Sequence, residues 1–217
     1  MVRSRPYIIL SAAITLDGKL GVKNKRTKLS SKNDKIRVHR LRSSVDAIIV
    51  GKNTVDLDNP LLTVRYAKGK NPIRVILDSL GTIKSNSKII QTCKNVPTII
   101  AVSESISEKN LQRLRKLSLE VIICGENDVN ITKLLKILLK KRIKKVLLEG
   151  GGTVNWSFVK KKYIDEAIIT LAPFILGGKN TVSLVEGTGF KNLDISTKLK
   201  LKRIEKNNNE LVLFYKL

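Results

Sequence analysis

Short apolar runs rich in isoleucine and valine, each bounded by Gly, Pro, Asn or Asp, recur along the whole chain. Such continuous runs are the mark of strands buried on both faces, as in a parallel sheet, rather than of strands with one wet side. They fall at Tyr7 to Leu16, Ala47 to Val50, Ile73 to Leu77, Thr98 to Val102, Glu120 to Ile123, Lys145 to Leu148, Glu166 to Leu171, Leu199 to Glu205 and Leu211 to Tyr215. Helical patterns separate several of them. Ser31 to Ser43 opens with Ser31 as N-cap and Asp34 at the capping-box position, where Asp is a weaker partner than Glu. Ser107 to Leu117 places Leu111, Leu114 and Leu117 at helical spacing, and Val129 to Lys140 and Thr153 to Lys161 complete the set. Alternation of strand and helix implies βαβ units. The last two strands are joined by Lys206 to Asn209 with no helix between them, so they should form an antiparallel hairpin at a sheet edge. The expected fold is α/β, a mostly parallel central sheet with helices on both faces and a C-terminal antiparallel hairpin. Without repeat, low-complexity segment or linker, residues 1–217 read as one domain.

The chain carries 42 Lys plus Arg against 18 Asp plus Glu, a formal net charge of +24, yet 42% of it is apolar, enough to build a core. Lys or Arg interrupts every apolar stretch before the roughly 20 residues needed to cross a bilayer, so no membrane partner is expected. Arg3 and Arg5 followed by Tyr7 to Leu16 mimic the charged and apolar parts of a signal peptide, a pattern that a strand produces equally well. Cys93 and Cys124 make no disulfide framework, and with His39 the only histidine there is no zinc spacing; no metal is expected, and a reducing cytoplasm fits best. The basic residues are scattered, in runs of no more than three as at Lys160 to Lys162, and aromatics are 4% with no pair spaced to stack bases. That distribution argues against nucleic acid and for a lysine-rich solvated surface.

Candidate chemistry gathers where strands end. Lys145 to Leu148 runs through Glu149 into Gly150, Gly151 and Gly152 and then into a helix, so bare amides at a helix N-terminus can approach an anion. The segment lacks the Gly-Lys-Ser/Thr of a Walker loop and the G-x-G-x-x-G fingerprint, and a tight βα turn explains the glycines equally well. Glu149, at a strand's carboxyl end, points to the crevice where open α/β sheets bind ligands. After Val50-Gly51, Thr54 and Asp58 stand one helical turn apart and could hold a ribose, although a polar turn closed by Pro60 accounts for them too. Asp78-Ser79 follows the next strand. Arg37, His39, Arg40 and Arg42 form a cationic set with Arg65 downstream; His39 and Arg42 can share a helix face while Arg40 points elsewhere. No G-x-S-x-G elbow, triad or deaminase signature is present, which leaves the reactive atom to a carrier cofactor.

These segments together, Arg5-Pro6-Tyr7, Thr15 to Leu20, Arg37 to Arg42, Val50-Gly51 with Thr54, Asp58 to Arg65, Pro72 to Ser79 and Leu148 to Thr153, resemble the riboflavin-biosynthesis reductases. The likeness extends to the stand-alone enzymes of archaea and fungi and to the reductase half of bacterial deaminase-reductases, and it runs on through Ala172-Pro173 and Gly177-Gly178. It implies a dihydrofolate-reductase-like fold, a homodimer, and NADPH as hydride donor with NADH a poorer one. The implied reaction converts the ribosyl group of a phosphorylated ribosylaminopyrimidine to ribityl at C1′. By the same resemblance Thr54, Asp58, Ser79, Gly151, Gly152, Thr153, Val154 and Asn155 would contact NADP, with Ala13 near the nicotinamide. Arg42, Leu62, Arg65 and Glu149 would hold the substrate, and Glu149 or Asp58 would orient its open-chain ribose in the catalytic step. Asn59 departs from the family, which often has a second Asp there. Two alternatives remain at this point: a reductase of the same fold acting on a dihydropterin-like substrate, and a basic nucleic-acid-binding module.

Overall fold

The computed structural model describes residues 3–217. In chain order the elements are β1 (Tyr7–Thr15), β2 (Lys19–Val22), α1 (Lys32–Ser43), β3 (Ala47–Gly51), α2 (Lys52–Asp58), β4 (Ile73–Leu77), α3 (Lys88–Gln91), β5 (Thr98–Val102), α4 (Glu108–Arg115), β6 (Glu120–Ile123), α5 (Ile131–Lys140), β7 (Lys145–Gly150), α6 (Gly152–Val159), β8 (Glu166–Ala172), β9 (Thr181–Ser183), β10 (Lys200–Asn207) and β11 (Glu210–Lys216). Nine strands form one sheet in the order β10-β11-β8-β1-β7-β3-β4-β5-β6. From β8 through β6 every pairing is parallel; β11 is antiparallel to β8 and β10 to β11, so the terminal hairpin forms the sheet edge as expected.

Alternate residues of each strand enter two separate cores, which is what a sheet covered on both faces requires. Ile8, Ile49, Val75, Ile99 and Leu148 pack with Leu134, Leu135 and Leu138 of α5 and Phe158 of α6. Ile9, Ile48, Ile76, Ile100 and Leu147 pack on the opposite face with Val55 of α2, Ile89 and Ile90 of α3, Leu114 of α4 and, at the margin, Leu41 of α1.

Local chemistry sets the helix starts. Ser31 Oγ accepts from Asp34 N at 3.1 Å, a side-chain N-cap. Asp34 does not close the box; its carboxylate accepts from Arg37 and Thr170 instead. Glu210, at the head of β11, takes that place, accepting from Ser31 N at 2.8 Å and from Ser31 Oγ at 2.6 Å. Four elements lack a sequence signal of their own. The ribbon of β2 with β9 is too short, at 4 and 3 residues, to show a period. The four-residue α3 has no periodicity either. The stretch Lys52–Asp58 is helical, which makes the spacing of Thr54 and Asp58 one turn.

Candidate active site

The carboxyl ends of β1, β7, β3 and β4 lie side by side in the sheet, and the segments leaving β7, β3 and β4 carry the glycine turn, Thr54 with Asp58, and Ser79. Glu149 sits where β7 loses register against β3: Ile49 pairs with Leu148 and Val50 with Gly150, so Glu149 is the extra residue of an irregularity. Such irregularities bend a strand end and re-aim a side chain. The Glu149 carboxylate meets the Arg42 guanidinium in a two-point pair, Nε to Oε1 at 2.9 Å and Nη2 to Oε2 at 2.7 Å, with the side chains 14% and 11% exposed. Burial alone would lower the Arg42 pKa, but the Glu149 charge and its hydrogen bonds raise it above the ordinary arginine value. The third arm of Arg42, Nη1, donates to the Thr63 carbonyl at 3.2 Å.

Thr63 also joins the second arginine: Arg65 Nη1 donates to Thr63 Oγ1 at 2.9 Å, and Arg65, an exposed residue, carries its guanidinium over the Tyr66 ring at 5.9 Å from the centroid. The two guanidiniums thus converge on one residue of the loop between α2 and β4. The other basic residues of α1 go elsewhere. Arg37 binds Asp34 and donates to Thr170 at 3.1 Å, and Arg40 is exposed. His39 is not part of a cationic set at all. It is 4% exposed, and its Nδ1 accepts from the backbone N–H of Arg65 at 2.7 Å and of Tyr66 at 3.4 Å, which requires the neutral ring. Burial, then Arg42 and Arg65, push its pKa down to about 4, against a smaller upward pull from Glu149.

The glycine turn is shaped from three sides. Gly151 has φ 105, open to glycine and strained for any other residue, and a Cβ there would stand 3.0 Å from Thr54 Oγ1. Thr54 Oγ1 donates to the Gly150 carbonyl at 2.9 Å, tying α2 to the turn. A Cβ on Gly152 would meet the Ser183 carbonyl and Glu186 Cγ at 2.6 Å. Asn155 lies behind the turn, buried, with Nδ2 donating to the Leu184 carbonyl at 2.7 Å, so its side chain shapes the turn from within; Thr153 is exposed and Val154 half-buried. Asp58 ends α2, half-exposed, 4.0 Å from Arg26; burial raises its carboxyl pKa, opposed by the Arg26 charge. Asn59 caps that helix in the left-handed region at φ 43, a conformation asparagine tolerates well, and its Oδ1 accepts from Lys88 N at 2.8 Å.

Ser79 closes the row beyond β4, its hydroxyl donating to Asp128 Oδ1 at 3.1 Å. Ala13 is half-buried near the end of β1, paired with Thr170. Leu62 as a whole residue is only 2% exposed, so it backs the site from within the core. Sequence reasoning missed Thr63 and misread His39, because the contacts of both are set by the loop from Asn59 to Tyr66, which has no period. Among the described residues no group of His, Cys, Asp and Glu could hold a metal, and no helix is long and apolar enough to cross a membrane.

A mostly parallel sheet whose strand ends offer bare glycine amides, an arginine-braced carboxylate and a second, open guanidinium defines a class: α/β enzymes that seat phosphorylated ligands over the carboxyl ends of their strands. Known proteins narrow that class. Residues 6–213 match the family described as the RibD C-terminal domain. The 2,5-diamino-6-ribosylamino-4(3H)-pyrimidinone 5′-phosphate reductase of Aquifex aeolicus is 39% identical over 203 residues, 91% of this chain and 90% of that one. The enzyme of the same name from Methanothermobacter thermautotrophicus is 38% identical over 214 residues, 97% of this chain and 98% of its own. Among solved structures, Acinetobacter baumannii RibD superposes with a TM-score of 0.84 at 24% identity, covering 98% of this chain and 58% of that one. The chain belongs to the RibD C-terminal domain family, the reductases of riboflavin biosynthesis with a dihydrofolate-reductase-like fold.

Proposed function

We propose that this chain reduces the ribosyl group of 2,5-diamino-6-ribosylamino-4(3H)-pyrimidinone 5′-phosphate to the ribitylamino product, with NADPH as donor and NADH as a poorer one. The observation that carries this reading is the near full-length similarity to two enzymes bearing that name. The strand order supports a layout for the dinucleotide: Ala13 on β1, the glycine turn after β7 and Ser79 after β4 follow one another along a single edge of the sheet. Neighbouring strands are about 4.8 Å apart, so the three contacts span the reach of an extended dinucleotide. A side chain at Gly151 or Gly152 would crowd Thr54, Ser183 or Glu186, so the turn stays free of Cβ atoms, as close approach of a pyrophosphate to its amides needs. When bound, the nicotinamide supplies the hydride. Gly151, Gly152 and Thr153 hold phosphate with the α6 amides, Val154 and Asn155 keep the turn in shape, and Thr54 and Asp58 meet ribose.

On the substrate side, Arg42 fixes the Glu149 carboxylate, and Glu149, with Asp58, accepts from hydroxyls of the open-chain ribose. Arg65 takes the 5′-phosphate with the open part of its fork, on a loop that the buried Leu62 anchors to the substrate side of the site. That free guanidinium favours a phosphorylated substrate over a dihydropterin, whose neutral ring offers it no anion. The whole chain acts as one reductase domain in the cytoplasm, as a homodimer. Exposed apolar residues on the β10 edge, Leu201 and Ile204, and in the nearby loop, Phe174 and Ile175, supply a surface for a second copy. The test is NADPH oxidation followed at its near-ultraviolet absorbance with the substrate generated in situ. A ribitylamino product is expected. NADPH binding without turnover would remove the substrate assignment, and absence of binding would remove the cofactor layout as well.

A further inference from the structure

The loop from Asn59 to Tyr66 has no regular structure, yet it is pinned along its length. Leu62 holds φ 52, a conformation that costs a non-glycine residue on the order of 1–3 kcal/mol unless its surroundings enforce it. Those surroundings are four side chains from outside this stretch. Arg74, fully buried on β4, donates Nη1 to the Leu61 carbonyl at 3.2 Å. Arg42 donates to the Thr63 carbonyl at 3.2 Å, and Asn71 Oδ1 accepts from Val64 N at 2.8 Å. His39 takes the last two amides, those of Arg65 and Tyr66, on one ring nitrogen, and its ring meets the Tyr66 ring edge-on at 4.7 Å and 67°.

We infer that His39 is a positioning residue for substrate binding, acting as a neutral hydrogen-bond acceptor that presets the backbone of Arg65 so that its guanidinium stands beside the Arg42–Glu149 pair. The inference rests on the reading above that Arg65 meets the substrate's phosphate. An acceptor is needed there, not merely a filler, because two main-chain N–H groups point at the site from one side. A cation cannot serve, since imidazolium has no acceptor left and would face Arg42 and Arg65 with only Glu149 to offset them. Asparagine is the natural mimic: its Oδ1 lies where Nδ1 does, whereas leucine fills the space without accepting.

The test uses the whole chain and exploits His39 being the only histidine, so its imidazole ¹⁵N signals need no assignment. In the wild-type protein they should report an unprotonated Nδ1 and a ring still neutral at about pH 5; titration near the ordinary value of about 6.5 would overturn the inference. Kinetically, His39→Leu should raise KM for the phosphorylated substrate about tenfold with kcat changed less than about threefold, as misplacing a binding group does. The dissociation constant for NADPH, read by fluorescence, should stay the same, because the glycine turn is held by other contacts. His39→Asn should bring KM back to within about threefold of wild type, the rescue that a purely space-filling role would not give. Equal behaviour of the Leu and Asn variants would overturn the acceptor role. Arg65→Ala separates the two levels. If it raises KM and His39→Leu does not, the positioning role falls alone; if Arg65→Ala leaves KM unchanged, the substrate reading of Arg65 falls and takes this inference with it.

Discussion

Removing Arg42 tests whether the carboxylate at the end of β7 is held by an ion pair that matters. Arg42→Ala deletes two bonds to Glu149, at 2.9 and 2.7 Å, and one to the Thr63 carbonyl at 3.2 Å. Breaking a buried pair costs about 3–5 kcal/mol, because the remaining charge has neither water nor partner. Glu149 retains 14% exposure and regains some hydration, which brings the expected loss to roughly 2–3 kcal/mol, including about 1 kcal/mol for the Thr63 carbonyl. For a chain of this size that corresponds to a melting temperature lower by roughly 5–10 °C. Urea unfolding of wild type, Arg42→Ala, Glu149→Ala and the double variant closes a cycle, with m-values required to agree. The coupling energy should be about 1–2 kcal/mol, and the double variant should be less destabilised than the sum of the singles, since no orphaned charge remains. A single-variant loss below about 0.5 kcal/mol with coupling near zero would mean the pair behaves as a surface contact. The idea that Arg42 exists to fix Glu149 would then be wrong.

Three further outcomes follow from the same geometry. The folded pKa of His39, about 4, lies below its unfolded value of about 6.5, so the unfolded chain binds the extra proton between them; stability should fall as pH drops through that window, and His39→Asn should flatten this part of a melting-temperature profile. Gly151→Ala should lose about 1–3 kcal/mol from its φ of 105 and weaken NADPH binding by about tenfold or more, while unchanged affinity in a titration would show that the turn holds no phosphate. Arg74→Met should cost more than about 3 kcal/mol by urea unfolding, because it removes the buried donor to the carbonyls of Leu61, Ile89 and Val96 and to the Thr92 and Thr98 hydroxyls, of which the two hydroxyls and Val96 keep one other bond each; burial has already lowered the Arg74 pKa to about 10, and a near-neutral result would mean that water replaces the guanidinium.

What could be read without coordinates divides along contact range. The six inner parallel strands, β1, β3, β4, β5, β7 and β8, were legible because a strand buried on both faces has to be apolar at nearly every position, the outer strands β6, β10 and β11 from their Ile, Leu and Val between turn residues, and the glycine turn because positive φ and close approach leave few residue types to choose from. The roles of the arginines were not. Arg37, Arg40 and Arg42 are the same residue type on one helix, and what separates them is a partner 133 residues away for Arg37, solvent for Arg40, and a partner 107 residues away for Arg42. His39 looked cationic for the same reason: among arginines in sequence, it acquires its acceptor role only from two amides 26 and 27 residues downstream, in a loop with no period. The cluster of basic residues on α1 is therefore not a charged surface but a sorting device. Arg37 braces α1 against β8, His39 fixes the loop that presents Arg65, and Arg42 fixes Glu149, so one helix sets both the carboxylate and the free guanidinium that the proposed substrate requires.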